Sequence, residues 1–411
     1  MRSSTRWFRG LRCRLQSTSK ERNYMSQLLR LRQVTLGIAV SMILWGCDLQ
    51  QQVTRGPSSS DVVGPRKIVT LVPDRMSVDQ MREQALSTGY RELDVTRLDG
   101  LGLIMLSYKM PEGVTGPQAI ADLESAVPTS IVGVNHAYRL QQQQGATQSL
   151  DYANSMMRWT AGGCRARVSI GVIDTAIDTS APALASVSVT NKTFFDGPSA
   201  NASHGTDVTT ILADPDRLRE VKIFGANVFA QSEPADLVAG ADSLIRALDW
   251  LASEDVRLVN LALAGPYNRL LDLAVERATA RGLILVAAVG NEGPNADPLY
   301  PAGFANVIAV TAVDADGRIY RNAVRGGHVD VAAPGVDVMV PTAGSQRFVT
   351  GTSIATPLVT ARLAADPHFT ASRTVSETRN RLASTTAELG AVGRDDVFGY
   401  GLALADEVCG E

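Results

Sequence analysis

Gly351-Thr352-Ser353-Ile354-Ala355-Thr356-Pro357 is the stretch from which the rest of this chain is read. A serine stands between a turn of small residues and an apolar run, Ile354 to Leu363, that reads as a helix beginning at the serine. A hydroxyl there faces unpaired backbone N–H groups and the positive end of the helix dipole, and both favour developing negative charge. Three more short segments fall at the edges of apolar runs. Ile173-Asp174-Thr175 closes the strand-like Val168–Ile173, and His204-Gly205-Thr206 opens another apolar run. Gly290-Asn291-Glu292-Gly293 follows the strand-like Leu283–Val289.

These residue types answer the needs of acyl transfer. A serine hydroxyl attacks a carbonyl poorly at neutral pH unless a base takes its proton. His204, one of four histidines with His136, His328 and His368, is the candidate base. Asp174 is the candidate carboxylate that fixes the imidazole tautomer and stabilises the imidazolium. The oxyanion of the tetrahedral intermediate needs donors, which side-chain amides and backbone N–H groups can supply. Any one of these residues alone reads equally well as a helix cap or a turn residue. All four, in the order Asp, His, Asn, Ser and each at the edge of an expected element, point to a serine hydrolase.

In that order and setting the chain resembles the subtilisin-like serine proteases, the subtilases, over roughly residues 151–411. The resemblance implies catalytic Asp174, His204 and Ser353, with Asn291 in the oxyanion hole. It implies substrate binding by Ala262-Leu263-Ala264-Gly265, a strand that pairs with an extended peptide, together with Ala288 and Gly290. Tyr300-Pro301-Ala302 also resembles a segment near the family's active site. Calcium is implied by resemblance only; no ligand set, metal site or other cofactor is assigned. Four positions depart from the family pattern. Ala176 follows the Asp-Thr pair where glycine is usual, Asp207 replaces a second histidine, and Ala262 and Ala264 stand in a Ser-Leu-Gly-Gly segment. Asp207 puts a carboxylate near the base, an arrangement that raises an imidazole pKa.

The pattern between residues 156 and 411 supports the same fold class without the motifs. Near-continuous apolar strands (Val168–Ile173, Lys222–Ala226, Leu258–Leu263, Leu283–Val289, Val307–Val313) alternate with helical stretches at 207–213, 237–253 and 270–281. That alternation argues an α/β domain with a parallel sheet covered by helices on both faces. A net charge of −3 leaves no nucleic-acid footprint. Four cysteines without a C-x-x-C pair give no zinc spacing. Cys164, just before the first core strand, and Cys409, at the far end, form a candidate disulfide across the domain.

The N-terminal part reads as an address followed by a small domain. Arg30 and Arg32 precede an apolar run of 12 residues, Val34–Trp45, too short to span a bilayer. Leu44-Trp45-Gly46-Cys47 resembles a bacterial lipoprotein signal, making Cys47 a lipidation candidate in residues 1–47, with Met25 the more typical signal start. A linker, 48–65, leads to residues 66–140. There a strand at 67–72, a helix at 77–87, strands at 92–98 and 101–109, a helix at 117–126 and a strand at 130–138 give a ferredoxin-like β-α-β-β-α-β order. By position this unit resembles the pro-region of many subtilases, a folding assistant and inhibitor. Its tail, His136-Ala137-Tyr138-Arg139-Leu140, is expected to lie along Ala262–Gly265. Residues 141–155, with Gln141–Gln144, read as an exposed linker and processing region, with self-cleavage expected between Leu140 and Met156. The expected protein is thus an exported serine endopeptidase acting on proteins or peptides, either lipid-anchored in the envelope or secreted, inhibited by its own pro-region. The alternatives are a weakly catalytic homologue serving as an envelope interaction protein, and an esterase using the same triad.

Overall fold

The computed structural model describes residues 61–141, 143–144, 152–231, 237–342, 345–369, 371–372, 374–406 and 408–409. The N-terminal segment with Met25 and Cys47 lies outside them.

Ile68, Val69, Leu71 and Val72 make the first strand apolar on both of its faces, so it needs partners on two sides. It finds them. Lys67–Val72 (β1), Arg75–Ser87 (α1), Arg91–Leu98 (β2), Leu103–Lys109 (β3), Gly116–Ala126 (α2) and Ile131–Val134 (β4) form a small unit whose antiparallel sheet runs β2-β3-β1-β4. One face, with Ile68, Leu106, Tyr108 and Val132, packs on Met81, Ala85 and Leu123 of the unit's own helices. The other, with Val69, Leu71, Leu103 and Met105, joins the main core of the chain.

The stretch expected as a single strand, 130–138, is two strands in different sheets: β4, and Ala137–Leu140 (β5). The chain changes sheets at Asn135 and His136, and both cap a helix in the main body. Asp242 N–H donates to Asn135 Oδ1 at 3.1 Å and Ala241 N–H donates to His136 O at 3.1 Å. Two first-turn donors that the helix cannot satisfy itself are thereby paired. Gln143–Gln144 (β6) follows.

The main body includes Ile170–Asp174 (β7) and Ser188–Thr193 (β8). It continues through Ser203–Leu212 (α3), Lys222–Asn227 (β9), Val238–Gly240 (β10), Ala241–Ser253 (α4), Leu258–Leu261 (β11), Leu263–Ala264 (β12) and Arg269–Ala280 (α5). Ile284–Ala288 (β13), Val307–Val313 (β14), Val331–Pro334 (β15), Val338–Thr342 (β16), Ser345–Thr350 (β17), Thr352–Ala365 (α6), Val375–Ala383 (α7), Thr386–Ala387 (β18) and Leu402–Ala403 (β19) follow. The run 237–253, expected as one helical stretch, is instead β10 followed by α4, with Gly240 at the N-cap.

The central sheet runs β18-β19-β15-β14-β13-β11-β7-β9-β8, parallel throughout except for β18. Every residue of β7, β11, β13, β14 and β15 is buried, which requires cover on both faces of the sheet. Helices α3 and α6 pack together, as do α4 and α5. Cys164 and Cys409 are joined by a disulfide with Cα atoms 4.9 Å apart.

Candidate active site

Strand C-termini and helix N-termini share one edge of a parallel sheet, and functional side chains gather there. Asp174 ends β7, while His204 and Ser353 are the second residues of α3 and α6. His204 Nδ1 lies 2.7 and 2.9 Å from the two Asp174 carboxylate oxygens, and His204 Nε2 lies 3.4 Å from Ser353 Oγ. Asp174 and Ser353 are fully buried and His204 is 4% exposed, so water competes little for these contacts. The Asp174 carboxylate also accepts the Thr175 N–H at 2.6 Å, which fixes it as an acceptor for Nδ1–H and leaves Nε2 as the free base. Helix α3 approaches β7 closely because residue 205 is glycine: a Cβ there would stand 2.5 Å from the Thr175 carbonyl oxygen. Gly205 N–H donates to Thr175 Oγ1 at 2.8 Å, locking the helix start to the strand end.

Asn291 follows β13 across from α6. Its Oδ1 accepts Thr352 N–H at 3.1 Å and Thr352 Oγ1–H at 2.9 Å. Because the Thr352 N–H can only donate, the amide orientation is fixed, and Nδ2 is turned to the Gly351 side. A Cβ on Gly351 would lie 3.1 Å from that Nδ2 and 2.2 Å from the carbonyl oxygen of Gln141.

Gln141 is the residue that sequence reasoning placed wrongly. A glutamine run reads as an exposed linker, but Gln141 is 3% exposed and seated at the site. Its carbonyl oxygen accepts from Ser353 Oγ at 2.5 Å and from Ser353 N–H at 3.3 Å. Strand β5 leads it in, lying antiparallel between β10 and β12, with Leu140 opposite Leu263 and Arg139 opposite Ala264 and Val238. Strand β6 leads away, pairing Gln143 with Thr350 and Gln144 with Val349. Backbone pairing buries a strand whatever its side-chain polarity, so composition gives no warning of it. Only the expected alignment of residues 136–140 with 262–265 pointed towards it.

The remaining expected residues divide. Leu263 and Ala264 pair with β5, and Gly265 exchanges hydrogen bonds with Tyr300 and abuts the Tyr138 ring. Ala262 is fully buried, Ala288 ends β13 in register with Val310, and Gly290 N–H donates to Thr352 Oγ1 at 3.2 Å. Asp207, expected beside the base, instead forms an ion pair with Arg347 of β17. His136 sits at the junction with the small unit, and Nδ1 receives the Asn268 amide N–H at 3.0 Å. Lys67 Nζ there reaches Asp242 Oδ2 at 2.5 Å, and Glu124 reaches Arg269 at 3.0 Å. Among the described residues no group of three or more His, Cys, Asp or Glu side chains is placed to hold a metal ion. No helix among them is long and apolar enough to cross a membrane.

Comparison with known proteins bears on the same residues. The profile of the Subtilase family matches residues 165–401. Minor extracellular protease Epr of Bacillus subtilis (strain 168) is 30% identical over 259 residues, covering 59% of this chain and 39% of that protein. Subtilisin DY of Bacillus licheniformis is 32% identical over 250 residues, covering 58% of this chain and 89% of that protein. The crystal structure of fervidolysin from Fervidobacterium pennivorans, described as a keratinolytic enzyme related to subtilisin, superposes with a TM-score of 0.70 at 21% identity. That match covers 85% of this chain and 61% of fervidolysin, and at such identity it speaks for the fold alone.

Proposed function

Because the chain belongs to the subtilase family, we propose that it is a serine endopeptidase whose catalytic groups are Asp174, His204 and Ser353. Ser353 Oγ adds to the carbonyl carbon of a bound peptide as its proton passes to His204 Nε2. Asp174 holds Nδ1–H and stabilises the imidazolium. Negative charge collects on the former carbonyl oxygen, where Ser353 N–H and Asn291 Nδ2 donate. The C–N bond breaks with the His204 proton moving to the leaving nitrogen, and water then hydrolyses the acyl-serine by the same relay. The observation that carries this reading is the peptide carbonyl of Gln141, held by Ser353 N–H while Ser353 Oγ stands within reach of His204 Nε2.

On this reading residues 66–140 are a pro-region that occupies the substrate groove until self-cleavage between Leu140 and Met156 frees the body. Its support is the pairing of β5 with β10 and β12, and the capping of α4 by Asn135 and His136. Export, with Cys47 as lipid anchor or with simple secretion, rests on the segment Arg30–Cys47. The test is casein digestion together with labelling by an organophosphate probe, comparing the wild type with Ser353→Ala. Hydrolysis and labelling in the wild type alone are expected, with a loss of about 10⁶ in kcat, the magnitude known for subtilisin. Equal digestion by both proteins overturns the assignment.

A further inference from the structure

Gln141 is held at both ends. Its backbone carbonyl faces Ser353, while its buried side chain makes two directed hydrogen bonds. Asn291 N–H donates to Gln141 Oε1 at 2.7 Å, and Gln141 Nε2 donates back to the carbonyl of Arg139 at 3.3 Å. A carboxamide satisfies both positions, since one end accepts and the other donates. A carboxylate would set its second oxygen against the Arg139 carbonyl. Lysine or arginine offers no acceptor to Asn291 N–H, and a leucine leaves that donor without a partner, a penalty larger than the value of the bond itself.

The register is pinned as well. Tyr138 is fully buried; its hydroxyl donates to Pro266 O at 3.2 Å, and its ring lies where a Cβ at Gly265 would stand only 2.5 Å from Cδ1. Sliding the strand by one residue would turn Tyr138 to the opposite face. Of four consecutive glutamines, it is therefore Gln141 that meets Ser353.

We infer that this site selects glutamine on the acyl side of the bond it cuts, with Asn291 N–H reading the side-chain carboxamide, and that its first substrate is its own Gln141–Gln142 bond. The inference rests on the proposed endopeptidase activity. In that step Ser353 Oγ bonds to the Gln141 carbonyl carbon as the Gln141–Gln142 C–N bond breaks. The proton from Ser353 passes through His204 to the Gln142 nitrogen, and water then releases the Gln141 carboxylate.

Two measurements test it. The intact mass of the processed wild type should place its N-terminus at Gln142, and Ser353→Ala should remain uncut. Processed enzyme should then be given peptides of sequence Ala-Tyr-Arg-Leu-X-Gln-Gln-Gln-Gly with X as Gln, Glu, Leu or Lys. We expect kcat/KM for Gln to exceed each of the others by about tenfold or more, with cleavage after X. Comparable or faster cleavage after Leu or Lys, or a mature terminus at another residue, overturns the glutamine selection while leaving the endopeptidase reading standing. Absence of casein hydrolysis and probe labelling overturns both.

Discussion

Asp207 and Arg347 form an ion pair between the helix that carries His204 and the strand that receives Gln143 and Gln144. The Asp207 side chain is 4% exposed and that of Arg347 35%, so the carboxylate depends on the guanidinium more than the reverse. Arg347→Ala should destabilise the fold by about 2 kcal/mol, below the ~3–5 kcal/mol of a fully buried pair because Arg347 is part-solvated. Replacing both partners together, Asp207→Asn with Arg347→Met, should recover part of that loss. Urea unfolding of the three proteins in a Ser353→Ala background measures it; an unchanged midpoint in Arg347→Ala would show that the pair contributes nothing.

Asn291 allows a separation of chemistry from binding. Its side chain is anchored by Thr352 through Oδ1, so truncation removes the proposed oxyanion donor without touching β5, β10 or β12. Asn291→Ala should lower kcat by about 10²–10³ with little change in KM, and probe labelling should stay detectable. A dominant rise in KM would contradict a transition-state role.

Gly351→Ala probes the same locus by steric means. The added methyl would stand 2.2 Å from the Gln141 carbonyl oxygen, at a backbone φ of 156° that side-chain-bearing residues seldom adopt. The chain should accumulate unprocessed, with a fall in peptide hydrolysis of about 10²-fold or more for a displacement near 1 Å. Normal processing by this variant would mean the Gln141 carbonyl does not react where it is seen.

The junction between the small unit and the body should be sensitive to acid. Asn268 Oδ1 accepts Leu270 N–H and Leu271 N–H, so its Nδ2 donates to Val134 O and to His136 Nδ1. The imidazole is therefore neutral there. Burial holds His136 below its ordinary value of 6.5, with Asp61 pulling weakly the other way. The unfolded chain takes up that proton more readily, so stability present above pH 6.5 declines as pH falls from there through the lowered value. Asp242 differs: burial pushes its carboxyl up, but Lys67, Arg246 and Asn135 together hold it below its ordinary 3.8. Its contribution persists above pH 3.8 and fades only as pH drops through the lowered value. Urea midpoints of Ser353→Ala should drop between pH 7.5 and 5, and His136→Gln should flatten that drop. An equal decline in both proteins would remove His136 from the explanation.

What the sequence discloses follows the reach of each interaction. Asp174, His204, Asn291 and Ser353 are legible because each ends or begins an apolar run, and a parallel sheet gathers such ends at one edge. The partnership of Asp207 with Arg347 is not, since nothing local ties α3 to β17. Strand 130–138 reads as continuous because its break at Asn135 serves a helix more than a hundred residues away. Gln141 hides for the opposite reason: its polarity argues for solvent, and what seats it, the pairing of the preceding β5 with β12 and the hydrogen bonds from Asn291 and Ser353, comes from residues more than a hundred positions away.

The bond between Cys164 and Cys409 spans 245 residues, a ring that encloses Asp174, His204, Asn291 and Ser353. Under the proposed endopeptidase activity, each copy can nick its neighbours. One nick anywhere inside that ring severs the backbone yet leaves a single covalent molecule. Its two pieces remain interleaved as well, for β11 lies between β7, from early in the chain, and β13, from later. Damage of this kind stays silent on a non-reducing gel and separates into fragments only once a thiol opens the ring.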